Sequence, residues 1–426
     1  MVESTRRRVT RRLMPFLFVL YVIAYIDRIN ISFAGLQMTG ELHFSDAVFG
    51  LGSGLFFLGY VPLGIPGALL VERWSARKVI ALTLVVWGCV ASATGLIHTA
   101  REFYGMRLLL GVAEAGFFPG VITYIGHWYR AEDRAKAVAM FMIAIPVAQV
   151  IASPLSAALM GVHWWGLSGW RWLLLLEGAP AVVAGVVSWI YLTDRPEGAR
   201  WLAPEQRAWL RGELDRESGA AKIEKISLWR TLWFTASHRD VLLLCGAYFG
   251  AAVGNYGLGV WMPKMLQQLG GLTSGKTALL SAIPAAVAVP LMLWVGWRSD
   301  RTGERRWHTA VPRLASGAAL SVLASYTVGV PVALVLFSIA LTGIVAAYPP
   351  QWAIPGTFLS ASAAAASIGF INSFGNVGGF AGPYLVGWFS DRTGGRYVGG
   401  LWCMVIALAA SGVFVVLVRK RQVGRH

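Results

Sequence analysis

Charged residues are scarce in this sequence: they make up 14% of its 426 residues, whereas an ordinary soluble domain contains about 25%. Cysteine is also scarce, and Cys89, Cys245 and Cys403 lie far apart without the paired spacing of a zinc site or a disulfide framework. The sequence contains no nucleotide-binding P-loop and no closely spaced pair of histidines. We therefore expect neither a soluble enzyme nor a protein with a metal, a nucleotide or another cofactor.

Apolar residues make up 56% of the chain and form stretches that recur from about Leu13 to about Val418. One long hydrophilic segment interrupts them. Because a membrane span takes about 20 residues, six spans fit before this segment and six after it. The sequence predicts an all-α membrane protein with twelve transmembrane helices in two six-helix bundles around a central cavity. The predicted boundaries are residues 1–192 for the first bundle, 193–239 for a cytoplasmic linker, and 240–426 for the second bundle and tail.

The chain has 37 Lys and Arg against 21 Asp and Glu, a net charge of +16. In a soluble chain this surplus would suggest a nucleic-acid partner. Most of these basic residues fall in the first twelve residues, the linker, the loops on the same side and the tail, as the positive-inside rule expects. The surplus therefore predicts a topology with both termini in the cytoplasm, and it argues against nucleic acid. In this assignment Arg313 belongs to the cytoplasmic loop before span nine, which runs from about Ala310 to Val328, and Arg28 and Arg107 are the only basic residues within the membrane.

One motif occurs twice in the second half. Residues 296–305 read GWRSDRTGER, residues 387–396 read GWFSDRTGGR, and each copy closes an apolar stretch. A looser copy containing Glu72 and Arg73 closes the second stretch, at the corresponding position in the first half. Internal repeats of this kind are typical of secondary transporters built from duplicated bundles.

Four charged residues fall inside predicted spans: Asp27, Arg28, Arg107 and Glu114. Each charge at the bilayer centre costs roughly 2.5 to 3.5 kcal/mol, so we expect these side chains to face a polar cavity. Arginine stays charged when desolvated and binds a carboxylate through two parallel hydrogen bonds, which suits an anionic substrate. An anion that displaces a carboxylate from its arginine makes that carboxylate easier to protonate, which is a physical route to symport. The alternative is that the four residues only join helices as buried ion pairs.

Arg107 and Glu114 lie seven residues apart and so share one helix face. This spacing motivates the hypothesis that Glu114 is the principal proton site, assisted by Asp27, and that its protonation releases Arg107 for the substrate. Asn255 and Tyr256 lie between Gly254 and Gly257 in span seven, where the glycines allow the helix to bend and expose its backbone to the cavity. We predict that these two residues gate the cavity or contact the substrate.

The first motif copy resembles the loop signature G-x-x-x-D-R-x-G-R-R of the major facilitator superfamily, through Gly296, Asp300, Arg301, Gly303, Arg305 and Arg306. Within it, YIDRIN at 25–30 and RLLLGVAEAG at 107–116 are similar to the anion:cation symporter family. Other stretches along nearly the whole chain are similar to its phthalate, tartrate and hydroxyphenylacetate permease branch. The resemblance implies the major facilitator fold and proton-driven uptake of a small organic anion, such as a dicarboxylate, an aromatic acid or a sugar acid.

The resemblance also implies roles for individual residues. Galactonate-type relatives use proton sites that match Asp27 and Glu114. Their substrate contacts match Arg28, Arg107, Tyr25, Tyr60, Trp352 and Asn372, with Asn376 as an alternative to Asn372. The loop motifs imply a cytoplasmic gate at Glu72, Arg73, Asp300 and Arg301. The glutamine of their fifth span has no clean match, although Gln149 lies near.

The predicted partners are a small organic anion, protons and the lipid bilayer, and the predicted location of the monomer is the bacterial inner membrane. A proton-antiporting exporter of drugs or cations shares this fold and is the main alternative. It would have a cavity dominated by acidic residues, which the two buried arginines disfavour. A receptor with a transporter fold but no transport is a second alternative.

Overall fold

A computed structural model of the chain describes residues 1–220, 237–359 and 361–419, and the regular structure in these ranges is helical. The first part contains α1 (Val2–Glu41), α2 (Asp46–Arg73), α3 (Ala76–Thr94), α4 (Ala100–Glu114), α5 (Phe117–Gly126), α6 (Ala131–Met142), α7 (Ala144–Leu159), α8 (Gly169–Tyr191) and α9 (Pro204–Ala220). The second part contains α10 (Arg239–Gly270), α11 (Ser274–Thr302), α12 (Arg306–Ser325), α13 (Val330–Ala346), α14 (Tyr348–Ala353), α15 (Ala361–Arg392) and α16 (Val398–Leu417).

Three membrane spans are broken into two helices each: α4 with α5, α6 with α7, and α13 with α14. When each broken span is counted once, α1–α8 provide six spans and α10–α16 provide six. Ten helical segments in the described ranges are long and apolar enough to cross a membrane. The twelve-span helical fold agrees with the sequence prediction. Part of the predicted linker (221–236) and of the tail (420–426) lies outside the described residues.

Short polar signals define where the spans begin and end. The Ser45 hydroxyl accepts a hydrogen bond from a backbone N–H in the first turn of α2, and Thr273 does the same for α11. Thr99 and Glu102 form a reciprocal capping box at the start of α4. Gly303 ends α11 with φ +66, a left-handed conformation that glycine adopts without a steric penalty.

The two halves meet mainly where α2 packs against α15, α7 against α11, and α1 against α10, with a smaller contact between α1 and α11. We call the end that holds the start of α1 and the linker the linker end, and the opposite end the far end. At the far end the halves approach very closely, because a Cβ on Gly50 would lie 2.5 Å from the Pro383 carbonyl oxygen. A Cβ on Gly387 would lie 2.2 Å from the carbonyl oxygen of Asp46. Helix α2 and helix α15 therefore seal the far end.

Candidate functional site

A cavity of about 700 Å³ lies between the two halves, on the linker side of these contacts. Its wall includes seven of the eight residues predicted to contact substrate. They are Tyr25, Arg28, Tyr60, Asn255, Tyr256, Trp352 and Asn372. A second cavity of about 120 Å³ lies nearer the far end, shares Tyr25, Arg28, Asn255 and Tyr256 with the first, and adds Arg107, the eighth residue. The structure therefore brings the predicted substrate residues together around one connected region.

Arg28 and Glu114 form an ion pair between α1 and the last residue of α4. The Glu114 side chain is 2% exposed, and its second carboxylate oxygen has no hydrogen-bond partner in the described part of the chain. The Arg28 guanidinium also lies 4.9 Å from the centre of the Tyr60 ring, a favourable cation–π distance. Glu114 thus pairs with an arginine on another helix. With this pairing, protonation of Glu114 would release Arg28. The shared helix face had predicted that it would release Arg107.

Arg107 is 4% exposed and has neither a hydrogen bond nor an ion pair with the side chains that the structure describes. Its guanidinium carbon lies 5.2 Å from the centre of the Phe56 ring. The hydroxyl groups of Ser32 and Ser53 line the same small cavity. A buried guanidinium whose hydrogen-bond donors lack partners is destabilising, so this position is a candidate for binding an incoming anion.

Asp27 does not line either of these two cavities. It is 2% exposed, and its two carboxylate oxygens accept hydrogen bonds from Trp87 Nε1 at 2.8 Å and from Asn30 Nδ2 at 3.0 Å. Trp87 belongs to α3, so Asp27 joins α1 to α3. Because Arg28 pairs with Glu114, Asp27 is also not the partner of the adjacent arginine. A proton-binding role for Asp27 stays a prediction.

Several residues that line the cavities were not predicted from the sequence, or were predicted only as alternatives. Gln149 lines both cavities, and Asn372 and Asn376 both line the larger one. Tyr248 and Tyr348 add two phenols that no motif indicated.

One prediction about the second half is wrong. Arg313 was assigned to a loop, but it lies two turns inside α12 and is 0% exposed, so Arg28 and Arg107 are not the only arginines buried at span depth. The apolar stretch predicted from about Ala310 already contained Arg313, which was a signal that this residue lies inside a span.

The glycines beside Asn255 and Tyr256 do not interrupt α10, which is one helix from Arg239 to Gly270. A role of these two residues in gating or substrate contact stays a prediction.

The residues predicted to form a gate are not assembled at the linker end. Asp300 forms an ion pair with Arg305 in its own loop, and Arg301 lies over the Trp297 ring at 5.4 Å. Arg73 is exposed and has no ion pair with the side chains described here, while the side chain of Glu72 lies outside the described residues.

A polar cluster joins the halves at the far end. Lys264 Nζ lies 2.5 Å from one carboxylate oxygen of Asp46, and the Ser390 hydroxyl donates to the other at 2.5 Å. The Asp391 carboxylate accepts the backbone N–H groups of Asp46 at 2.8 Å and Ala47 at 3.0 Å. This cluster adds charge pairing and hydrogen bonds to the close helix packing at the far end.

Comparisons with known proteins agree with this architecture. Residues 17–383 match the model of the Major Facilitator Superfamily. The chain is 43% identical to a putative tartrate transporter of Agrobacterium vitis, over 97% of this chain and 94% of that protein. It is 36% identical to a quinolone resistance transporter of Acinetobacter baumannii, over 94% of this chain and 92% of that protein. A bacterial homolog of the human lysosomal transporter Spinster, solved inward-facing and unoccupied, has the same fold, with a TM-score of 0.77, 20% identity, and 97% and 95% of the two chains covered.

The family match, the similar transporters and the multi-span helical fold agree with one another, and none of them indicates an enzyme. The chain belongs to the Major Facilitator Superfamily and is a multi-pass membrane transporter.

Proposed function

We propose that this protein takes up a small organic anion together with protons, by alternating access between the two six-helix bundles. The observation that carries the proposal is the buried, unpaired guanidinium of Arg107, which lines a cavity beside the Arg28–Glu114 ion pair. Two arginines in a confined space suit a carboxylate, because each guanidinium presents donors in a planar fork.

Coupling follows from competition for Arg28. A substrate carboxylate that binds Arg107 also competes with Glu114 for the Arg28 guanidinium. Displaced Glu114 lies in a nearly dry environment where the substrate occupies both arginines, which favours the protonated carboxyl. Substrate and proton therefore strengthen each other's binding, and this effect is reciprocal by thermodynamic linkage.

The proposed orientation places the linker end and both termini in the cytoplasm and the far end outside, in a bacterial inner membrane. The basic linker-end residues support this orientation through the positive-inside rule. The bundles are residues 1–192 and 240–426, joined by the linker 193–239, and one monomer transports on its own. The name of the relative makes tartrate the first substrate to test.

The decisive experiment measures tartrate accumulation in proteoliposomes with and without an inward proton gradient. We expect the parent protein to accumulate tartrate only with the gradient. Glu114→Gln mimics the protonated state, so it should bind and exchange tartrate but lose gradient-driven accumulation. Glu205→Gln, an exposed change on α9, is the matched control. Parent-level accumulation by Glu114→Gln would show that the coupling proton binds elsewhere, with Asp27 as the next residue to test.

Substrate affinity tests the arginine site separately. Arg107→Lys keeps the charge but replaces the planar fork with a point charge, so we expect tartrate affinity to fall at least tenfold. Unchanged affinity in both Arg107→Ala and Arg28→Ala would contradict the anion site.

A proton-coupled drug exporter is the second candidate, favoured by the similarity to the quinolone resistance transporter. The two candidates differ in what Arg107 does. A symporter of anions needs Arg107, whereas an exporter of cationic drugs gains nothing from a buried positive charge in its cavity. Proton-driven export of a cationic drug without a carboxylate that survives Arg107→Ala, with no anion uptake by the parent, would favour the exporter.

A further inference from the structure

Arg313 is a fully buried charge in the second half, behind the wall of the large cavity. Its guanidinium donates to the Ser411 hydroxyl at 2.8 Å, to the Ala247 carbonyl oxygen at 3.5 Å and to the side-chain carbonyl of Gln351. These partners belong to α16, α10 and α14, so one side chain joins three helices.

All of these partners are neutral. No ion pair with Arg313 occurs in the described part of the chain. Arg28 on the other side of the cavity has Glu114 as a counter-ion. The positive charge of Arg313 is therefore not cancelled locally, and low-dielectric surroundings let its field act over a longer distance.

This field reaches the cavity wall. Tyr348 and Trp352 flank Gln351 on α14 and line the large cavity, as does Tyr248. The Tyr248 ring packs against Tyr348 and Trp352 with centroid distances of 5.9 and 4.8 Å. Arg313 thus lies one layer behind an aromatic wall, in the half opposite Arg28 and Arg107.

We propose that Arg313 is a specificity-determining residue that makes the transporter prefer dianions, by supplying positive potential at the α14 side of the cavity. This inference rests on the proposed function and narrows its substrate class. One carboxylate binds Arg28 and Arg107 in the first half, and the second lies toward the aromatic wall in front of Arg313. At about 10 Å and an effective dielectric constant of about 20, one unit charge changes the binding of another roughly tenfold.

The test compares tartrate with its monoamide, which has nearly the same shape but one carboxylate fewer. The measured quantity is the ratio of their affinities for the purified full-length protein. Gln351→Glu keeps the hydrogen-bond acceptor for Arg313, places a negative charge against it, and removes the Gln351 Nε2 donor, which has no partner among the described residues. We expect this variant and Arg313→Gln each to lower the tartrate preference about tenfold.

A control separates charge from structure. Ser411→Ala removes a hydrogen bond of Arg313 without altering any charge, so it should keep the parental ratio within about twofold. The inference would be overturned if folded Gln351→Glu kept the parental ratio of tartrate to monoamide affinity. It would also be overturned if Ser411→Ala lowered this ratio as much as Gln351→Glu does. These results differ from failure of the proposed function, in which the parent protein would bind neither compound.

Discussion

The two copies of the GW-x-SDRTG motif have the same key residues but different partners. The second copy ends α15 at the far end, where Asp391 accepts two backbone N–H groups from the start of α2 in the other half. The first copy ends α11 at the linker end, where Asp300 pairs with Arg305 of its own loop. One aspartate joins the two halves and the other does not.

The difference shows that the partner, and not the motif, decides what the aspartate does. A carboxylate is stabilised by the free N–H groups at a helix N-terminus, and α2 presents these groups to Asp391 because the halves meet at the far end. At the linker end the cavity separates the halves, so the nearest positive group for Asp300 is within its own loop. In the proposed transport cycle, the linker-end copy would find a partner across the interface when that end closes.

The largest predicted effect compares equivalent glycines of the two copies. A Cβ on Gly387 would lie 2.2 Å from the backbone oxygen of Asp46, whereas a Cβ on Gly296 would meet, among the described residues, only the Pro349 ring, at 3.5 Å from its Cβ. We therefore expect Gly387→Ala to prevent tight closure of the far end and to lower tartrate uptake more than tenfold. Gly296→Ala should stay within twofold of the parent protein. Uptake in proteoliposomes, normalised to inserted protein, measures both.

Equal uptake by Gly387→Ala and Gly296→Ala would mean that far-end closure does not limit transport. Misfolding is checked by tartrate binding in detergent, which Gly387→Ala should retain because the arginine site lies away from the contact. Loss of both binding and uptake would instead show that this glycine is needed for folding.

A smaller effect is expected for the charge that joins the halves. Asp391→Asn keeps the size of the side chain but weakens its hydrogen bonds to Asp46 and Ala47, which as charged bonds contribute roughly 1.5 to 3 kcal/mol each. We expect a three- to fivefold loss of uptake. The labelling of a cysteine introduced at Ser32, which lines the small cavity, reports on this end. An impermeant thiol reagent added on the far-end side should label this cysteine faster in Asp391→Asn than in the parent protein. Unchanged labelling would show that helix packing alone seals this end.

The twelve spans were predictable because apolar stretches of membrane length leave a strong signal in the sequence. Positions within the spans were less predictable, since a helical break such as the one between α4 and α5 depends on tertiary packing. Residues near the ends of spans were the hardest to place from the sequence. Arg313 was assigned to a loop with other basic residues because charge alone cannot distinguish a loop from the second turn of a helix.

The members of the site were predictable from motifs, but their pairing was not. Spacing along one helix placed Arg107 and Glu114 on the same face, and the structure pairs Glu114 with Arg28 on a different helix. The helix-face argument uses only local geometry, whereas ion pairs form between whichever side chains the packing of several helices brings together. The same reason explains why Asp27 could be predicted as buried but not as a partner of Trp87 on α3.

The smallest effect is expected at the linker end. The Asp300 side chain is 71% exposed and its pair with Arg305 is a surface ion pair, which contributes only about 0 to 1 kcal/mol. Asp300→Asn should therefore leave thermal stability within about 2 °C of the parent and tartrate affinity unchanged. Under the proposed cycle it should still slow uptake, by about twofold, because closure of the linker end would lose a charged contact. If Asp300→Asn lowered uptake more than Asp391→Asn, the linker end would be the harder end to close, and the order of the two copies in this comparison would be reversed.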